Sequence, residues 1–164
     1  MKYILLMIVI CNVTSACASA FPKVQSDLAI YDSTVAKMRS DFSSVPANVQ
    51  NKEWIKSKLD NMFKIDQYMR VFWDTPFKNN YSLDEKSEFQ KEFSPKSDEV
   101  DYRNTTDLKE LLKHYGWFKI SEFGVVADNQ AWIIVQHADR DPAFQKQILP
   151  ILEKLWPLGE TKPA

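Results

Sequence analysis

From residue 22 onward the apolar positions of this chain fall at helical spacing. Val24, Leu28, Tyr31, Val35, Met38 and Phe42 alternate steps of four and three, which draws one stripe along a helix from about Pro22 to Ser43. Pro46 breaks that pattern. A second amphipathic segment, from about Asn51 to Trp73, turns Trp54, Ile55, Leu59, Met62, Ile65, Met69 and Phe72 inward and ends before Pro76. Two long helices joined by a short link predict an antiparallel pair. Ser82 followed by Glu85 has the form of a capping box, predicting a short helix through Phe93 that Pro95 closes. The polar stretch from Ser94 to Asn104 then reads as a loop. Thr106 opens a further helix that stops at Gly116, a residue suited to the left-handed position after a helix end. Beyond a turn around Trp117 to Gly124 comes a central apolar helix to about Ala138. The last helix has Asp141 as its N-cap and Pro142 in its first turn, and runs to Leu158 with a bend at Pro150.

The expected fold is therefore all-α, a single-domain helical bundle of about five to six helices, with no internal repeat. The run Trp132-Ile133-Ile134-Val135 is β-branched and aromatic, and a short buried strand would share that character. Helix is preferred because no partner strands are evident.

Composition agrees. Only 3 glycines occur, so a turn-rich sandwich or barrel is disfavoured and no phosphate-binding glycine loop can be assembled. No cofactor is expected. The formal charge of −1 offers no electrostatic case for nucleic acid.

The first 20 residues read as an export signal: Lys2, an apolar core from Ile4 to Val13, then small residues to Ala20. Two processing routes are open. Cleavage after Ala20 leaves a mature helical domain at 21–164, whereas Val13-Thr14-Ser15-Ala16-Cys17 resembles a loose lipobox, in which residues 1–16 are removed and Cys17 is lipidated. The product would be periplasmic or secreted, touching a membrane only through a lipid anchor at Cys17. Cys11 and Cys17 are the 2 cysteines, so the mature domain has no internal disulfide and no thiol nucleophile.

The segment with the most chemical promise is Trp132-Ile133-Ile134-Val135-Gln136-His137-Ala138-Asp139, where an apolar run ends in polar side chains. Gln136 and His137 should sit near an interior, either hydrogen-bonded as part of the scaffold or lining a pocket. His137, one of 2 histidines, is also a candidate general acid or base, since imidazole exchanges protons near neutrality. Asp66 and Arg70 stand at i and i+4 on the second helix, beside the inward Ile65 and Met69. They form either a scaffold ion pair or, with Gln67, a receptor for a carboxylate or phosphate. Asp139 and Trp117 complete the candidate ligand-binding set, and Asp66 is the candidate acidic partner for His137. Trp117, Phe118, Trp132 and Phe144 are either a ligand wall or core. No metal is expected: there is no HExxH spacing, and distant groups such as His114 and Asp66 would have to converge.

Asp66-Gln67 with Arg70, Asn104 with Leu108, Gly116-Trp117, Gly124, Ala131-Trp132, Gln136-His137-Ala138-Asp139 and Phe144-Gln145 together resemble an uncharacterised bacterial family of exported proteins, a domain of unknown function. The resemblance spans roughly Leu59 to Leu158 and implies no established activity. Members of that family continue into a helix with an Asp-Arg pair and a Tyr-Gly-Thr-Gln segment, so this chain, reaching Ala164, is expected to be either a shortened member or a fragment. Two functions are consistent with these residues. One is binding of a small ligand or cell-envelope partner at a Gln/His/Arg site; the other is a hydrolase or transferase using His137 with an acidic partner.

Overall fold

The computed structural model describes residues 20–45 and 47–162. The export signal, both cysteines and Pro46 lie outside the described residues, apart from Ala20. Among those described the fold is all-α. Seven α-helices follow one another: α1 (Pro22–Ser43), α2 (Lys52–Phe72), α3 (Thr75–Lys78), α4 (Leu83–Tyr115), α5 (Ile120–Phe123), α6 (Val125–Gln136) and α7 (Pro142–Leu155), with a 3₁₀ turn at Trp156–Leu158. The bundle expected from the sequence had about five to six helices; the additional ones are the four-residue turns α3 and α5.

Local signals set most of the boundaries. The Asn51 side chain accepts hydrogen bonds from the Glu53 and Trp54 amides at 2.9 and 3.2 Å, satisfying orphan donors at the start of α2. Ser82 and Glu85 form the reciprocal box, with Glu85 N–H donating to Ser82 Oγ at 3.2 Å and Ser82 N–H to Glu85 Oε2 at 2.8 Å. Asp141 Oδ1 accepts from the Phe144 amide at 3.0 Å and so opens α7. Gly116, at φ +71°, ends α4 in a backbone conformation that side chains rarely adopt.

One expectation fails. Pro95 does not close a helix, and residues 94–104 are not a loop: α4 runs unbroken for 33 residues with Pro95 inside it. Phe89, Phe93, Ser97, Val100, Asn104, Leu108 and Leu111 recur at steps of four and three and are all buried, so the inward stripe passes straight through the proline. Phe93 is fully buried, with ring centroids of Tyr31 and Trp73 at 4.8 Å and of Phe72 and Phe89 at 5.1 Å. Each such pair contributes about 0.5–1.5 kcal/mol beyond burial, which together with burial of the Phe93 ring is of the size needed to offset the roughly 3 kcal/mol penalty of an interior proline.

Helix α2 packs against α1, α4 and α6 and is the axis of the bundle. Its first half, through Met62, joins the second half of α4, α6 and α7 in one apolar cluster; its second half, from Ile65, joins α1 and the first half of α4 in another. Helices α2 and α4 are thus antiparallel, each running through both clusters. At the seam, α2 carries Asp66, while α4 carries Asp101 and Asn104. Asn104 is tied across it, its Nδ2 donating to the Met62 carbonyl at 3.2 Å.

Candidate functional site

Asp66 points from α2 into the seam and is only 1% exposed. A carboxylate at that depth must have its acceptors filled. Gln67 Nε2 donates to Oδ2 at 2.8 Å, and His137 Nδ1 lies 2.8 Å from Oδ1. Because a carboxylate accepts only, Nδ1 donates in that bond, and Nε2 is the ring's second nitrogen. Arg70, one turn along α2, places Nη2 at 3.5 Å from Asp66 Oδ1 and donates to Asp101 Oδ1 at 2.6 Å. Arg70 Nε is buried without a hydrogen-bond partner.

How His137 reaches Asp66 follows from the end of α6. The helix stops at Gln136, and the His137 amide still donates to Ile133 O at 3.0 Å. The last carbonyls are capped from α7: Gln145 Nε2 donates to the carbonyls of Val135 and Gln136, both at 3.1 Å. The chain then turns, Asp141 N–H meeting Ala138 O at 2.8 Å, with Ala138 buried beneath the turn. His137 is thereby held at the C-terminal end of α6, its side chain 29% exposed.

The exposed side of the imidazole faces a cleft of about 170 Å³ between α4 and the α6–α7 turn, lined also by Asp101, Tyr102, Thr105, Lys109 and Arg140. Two ion pairs, Lys109 with Asp141 and Arg140 with Asp98, tie its walls together. Burial pushes the Asp101 carboxyl up to about 6; the neighbouring Arg70 opposes that rise and the Asp66 charge adds to it. Ionisation of Asp101 is therefore unfavourable in the folded chain even beside a guanidinium. Between about pH 4 and 6 the folded state holds a proton that the unfolded state has released, so the Asp101 contribution to stability is full below that window and is lost as pH rises through about 6. Relative to the parent, Asp101→Asn is expected to gain stability in urea unfolding as pH rises from 4 to 7, by about 1–2 kcal/mol after solvent screening is allowed for. A difference between the two proteins that does not change with pH would overturn this account.

No protein-family model, no curated protein and no solved structure matches this chain.

Of the residues singled out from sequence, Asp66, Gln67, Arg70 and His137 converge. Gln136 does not: contrary to the interior placement expected, it is exposed, since adjacent residues on a helix point about 100° apart and His137 takes the inward direction. Its side chain borders a different groove, with Trp132, Gln145 and Leu149. Asp139 is exposed on the turn and outside the cleft lining. Trp117 also lies elsewhere: buried, it donates from Nε1 to Asp128 Oδ1 at 2.8 Å. Phe118 and Phe144 are core, and Trp132 is half-buried. Among the described residues no group of three or more His, Cys, Asp or Glu could hold a metal ion.

Sequence reasoning missed Asp101, Tyr102, Thr105 and Arg140. The signal for the first and third was Asp101-Thr105-Lys109, a polar file at i, i+4 and i+8 that becomes visible once Pro95 is allowed inside a helix.

Proposed function

We propose that this domain is an exported binding module that takes a small polar group, free or displayed on a cell-envelope partner, in the cleft over His137. One observation carries the reading: a buried carboxylate fixes one imidazole nitrogen, while the exposed side of the same ring faces an open cleft. Were His137 only a core histidine, its outer side would be covered by protein. The volume of about 170 Å³ is smaller than a pocket for a drug-sized molecule, roughly 300–1,000 Å³, and fits a carboxylate, amide or hydroxyl-bearing head group. Neutral imidazole accepts at Nε2, and imidazolium donates there, so acids and alcohols can both be met. The leader pattern in the sequence supports export.

A hydrolase or transferase is the second reading, favoured by the Asp66–His137 pair, which has the orienter-and-base form of a general base. It ranks lower because neither threonine hydroxyl of the cleft lining, Thr105 or Thr106, is hydrogen-bonded to His137.

A thermal-shift screen of small carboxylates, amides and polyols tests the first reading. A compound that stabilises the parent should bind His137→Ala about 10- to 100-fold more weakly, the loss expected for one hydrogen bond to a charged or polarised group, with the helical circular dichroism unchanged. An equal response from a folded His137→Ala protein removes the cleft from consideration. Hydrolysis of p-nitrophenyl acetate by the parent that disappears in the same variant would favour the second reading instead.

A further inference from the structure

A second cleft, of about 370 Å³, lies where the C-terminal end of α1 meets α2 and the middle of α4. Its volume falls within the range of small-molecule pockets, roughly 300–1,000 Å³. Across the whole chain 21 basic residues face 22 acidic ones, yet here Arg39, Lys58 and Arg103 line the cleft against a single acid, Asp107. Lys58 is paired with Asp107. The two arginines share one carboxylate, that of Glu99, with Arg103 Nε at 2.9 Å and Arg39 Nη1 at a slack 3.4 Å. Counting Glu99, three cations face two acids, and one positive charge is uncompensated. Between the charges the lining is mixed: Phe42 is half-buried at the wall, Met62 and Ile65 form a nearly sealed floor, and Ser43, Asn61 and Asn104 are polar.

We infer that this α1–α2–α4 cleft binds a monomeric amphiphilic monoanion, a carboxylate head on an apolar chain, with the head taken by Arg39 and Arg103 and the chain laid against Phe42 over the floor that Met62 and Ile65 form. The forked guanidinium donors match a carboxylate geometrically. Arg103 is 58% and Glu99 49% exposed at the side chain, and such solvated pairs are weak, so exchange of Glu99 for an incoming carboxylate is energetically easy. An alkyl chain supplies the affinity that a solvated charge pair alone cannot. The inference stands apart from the His137 cleft, with which this one shares no lining residue.

Isothermal titration of the protein with decanoate below its micellar range, beside decanol and inorganic phosphate, is the direct test. Decanoate is expected to bind severalfold more tightly than decanol and at least tenfold more tightly than phosphate, more weakly as salt rises, and equally well to His137→Ala. Arg39→Gln/Arg103→Gln, a surface change expected to leave the unfolding midpoint in place, should weaken decanoate to the level of decanol. Glu99→Gln should tighten it severalfold by releasing both guanidiniums. Decanol binding as well as decanoate, Glu99→Gln weakening it, or association with phosphatidylglycerol vesicles in place of monomeric decanoate would each overturn the inference.

Discussion

Replacing Asp66 with alanine is expected to lower the unfolding free energy by about 3–5 kcal/mol, the range for breaking a buried charged pair by removing one partner. The loss has three identifiable parts. Arg70 loses one of its two carboxylates and keeps a buried Nε with no partner, His137 Nδ1 loses its acceptor at 2.8 Å, and Gln67 loses its acceptor at 2.8 Å. Urea unfolding measures the sum, and a change below about 1 kcal/mol would show that solvent already reaches the carboxylate. The more instructive comparison is Asp66→Leu/Arg70→Met/Asp101→Leu, which removes the buried charges together. Buried ionic clusters replaced whole by apolar residues of similar size are often neutral or stabilising. The triple variant is therefore expected to recover most of what Asp66→Ala loses, while losing any ligand response that depends on an oriented His137. If the triple variant is as unstable as the single one, the cluster is scaffold. Recovery of stability without recovery of binding separates the two roles.

The elements that were legible in the sequence are those whose own pattern sufficed. Val24, Leu28, Tyr31 and Val35 are all buried at the steps of four and three read along α1, and the Ser82–Glu85 and Asp141 caps hold the bonds their residue types suggest. Helix α4 was obscured because two residues of its inward stripe, Ser97 and Asn104, are polar, and because Pro95 is a breaker by local chemistry alone. What overrides it is the packing of Phe93 against Tyr31, Phe72 and Trp73, aromatics from α1 and from the end of α2, which no window around residue 95 contains. With that stretch taken as loop, Asp101 had no face to belong to, and the second carboxylate of the site went unseen. The Asp66–Arg70 spacing was informative for the converse reason, since i and i+4 on one helix fixes proximity without any knowledge of the fold. Gln136 shows a limit of another kind. Its neighbour in sequence is at the site, but the angular step of a helix sends consecutive side chains in different directions.

Asp128 gives the second large expected effect and sharpens the reading of Asp66 by contrast. It too is 1% exposed, at the first turn of α6. Its acceptors are filled by fixed donors: Trp117 Nε1 at 2.8 Å and Thr161 Oγ1 at 2.7 Å on Oδ1, and the Lys162 amide at 3.0 Å on Oδ2. Trp117 and Thr161 are themselves buried, and the Ile120 amide, donating to Glu160 O at 3.0 Å, ties the same end of the chain to α5. Asp128→Ala is expected to cost about 3–5 kcal/mol, because it strands an indole N–H and a hydroxyl away from water and loses charge-assisted bonds. Asp128→Asn should cost less, about 2 kcal/mol, since its carbonyl still serves Trp117 and Thr161 while its amide opposes the Lys162 donor. Urea unfolding ranks the two, and exchange of the Trp117 indole proton should accelerate in the alanine variant as residues 160–162 detach. An indole proton as protected as in the parent would mean that another acceptor replaces the carboxylate. Neither change should alter a ligand response at His137, because every partner of Asp128 ends inside the scaffold. Asp66 differs in one respect: the group it holds opens onto a cleft, and the proposed binding role rests on that difference alone.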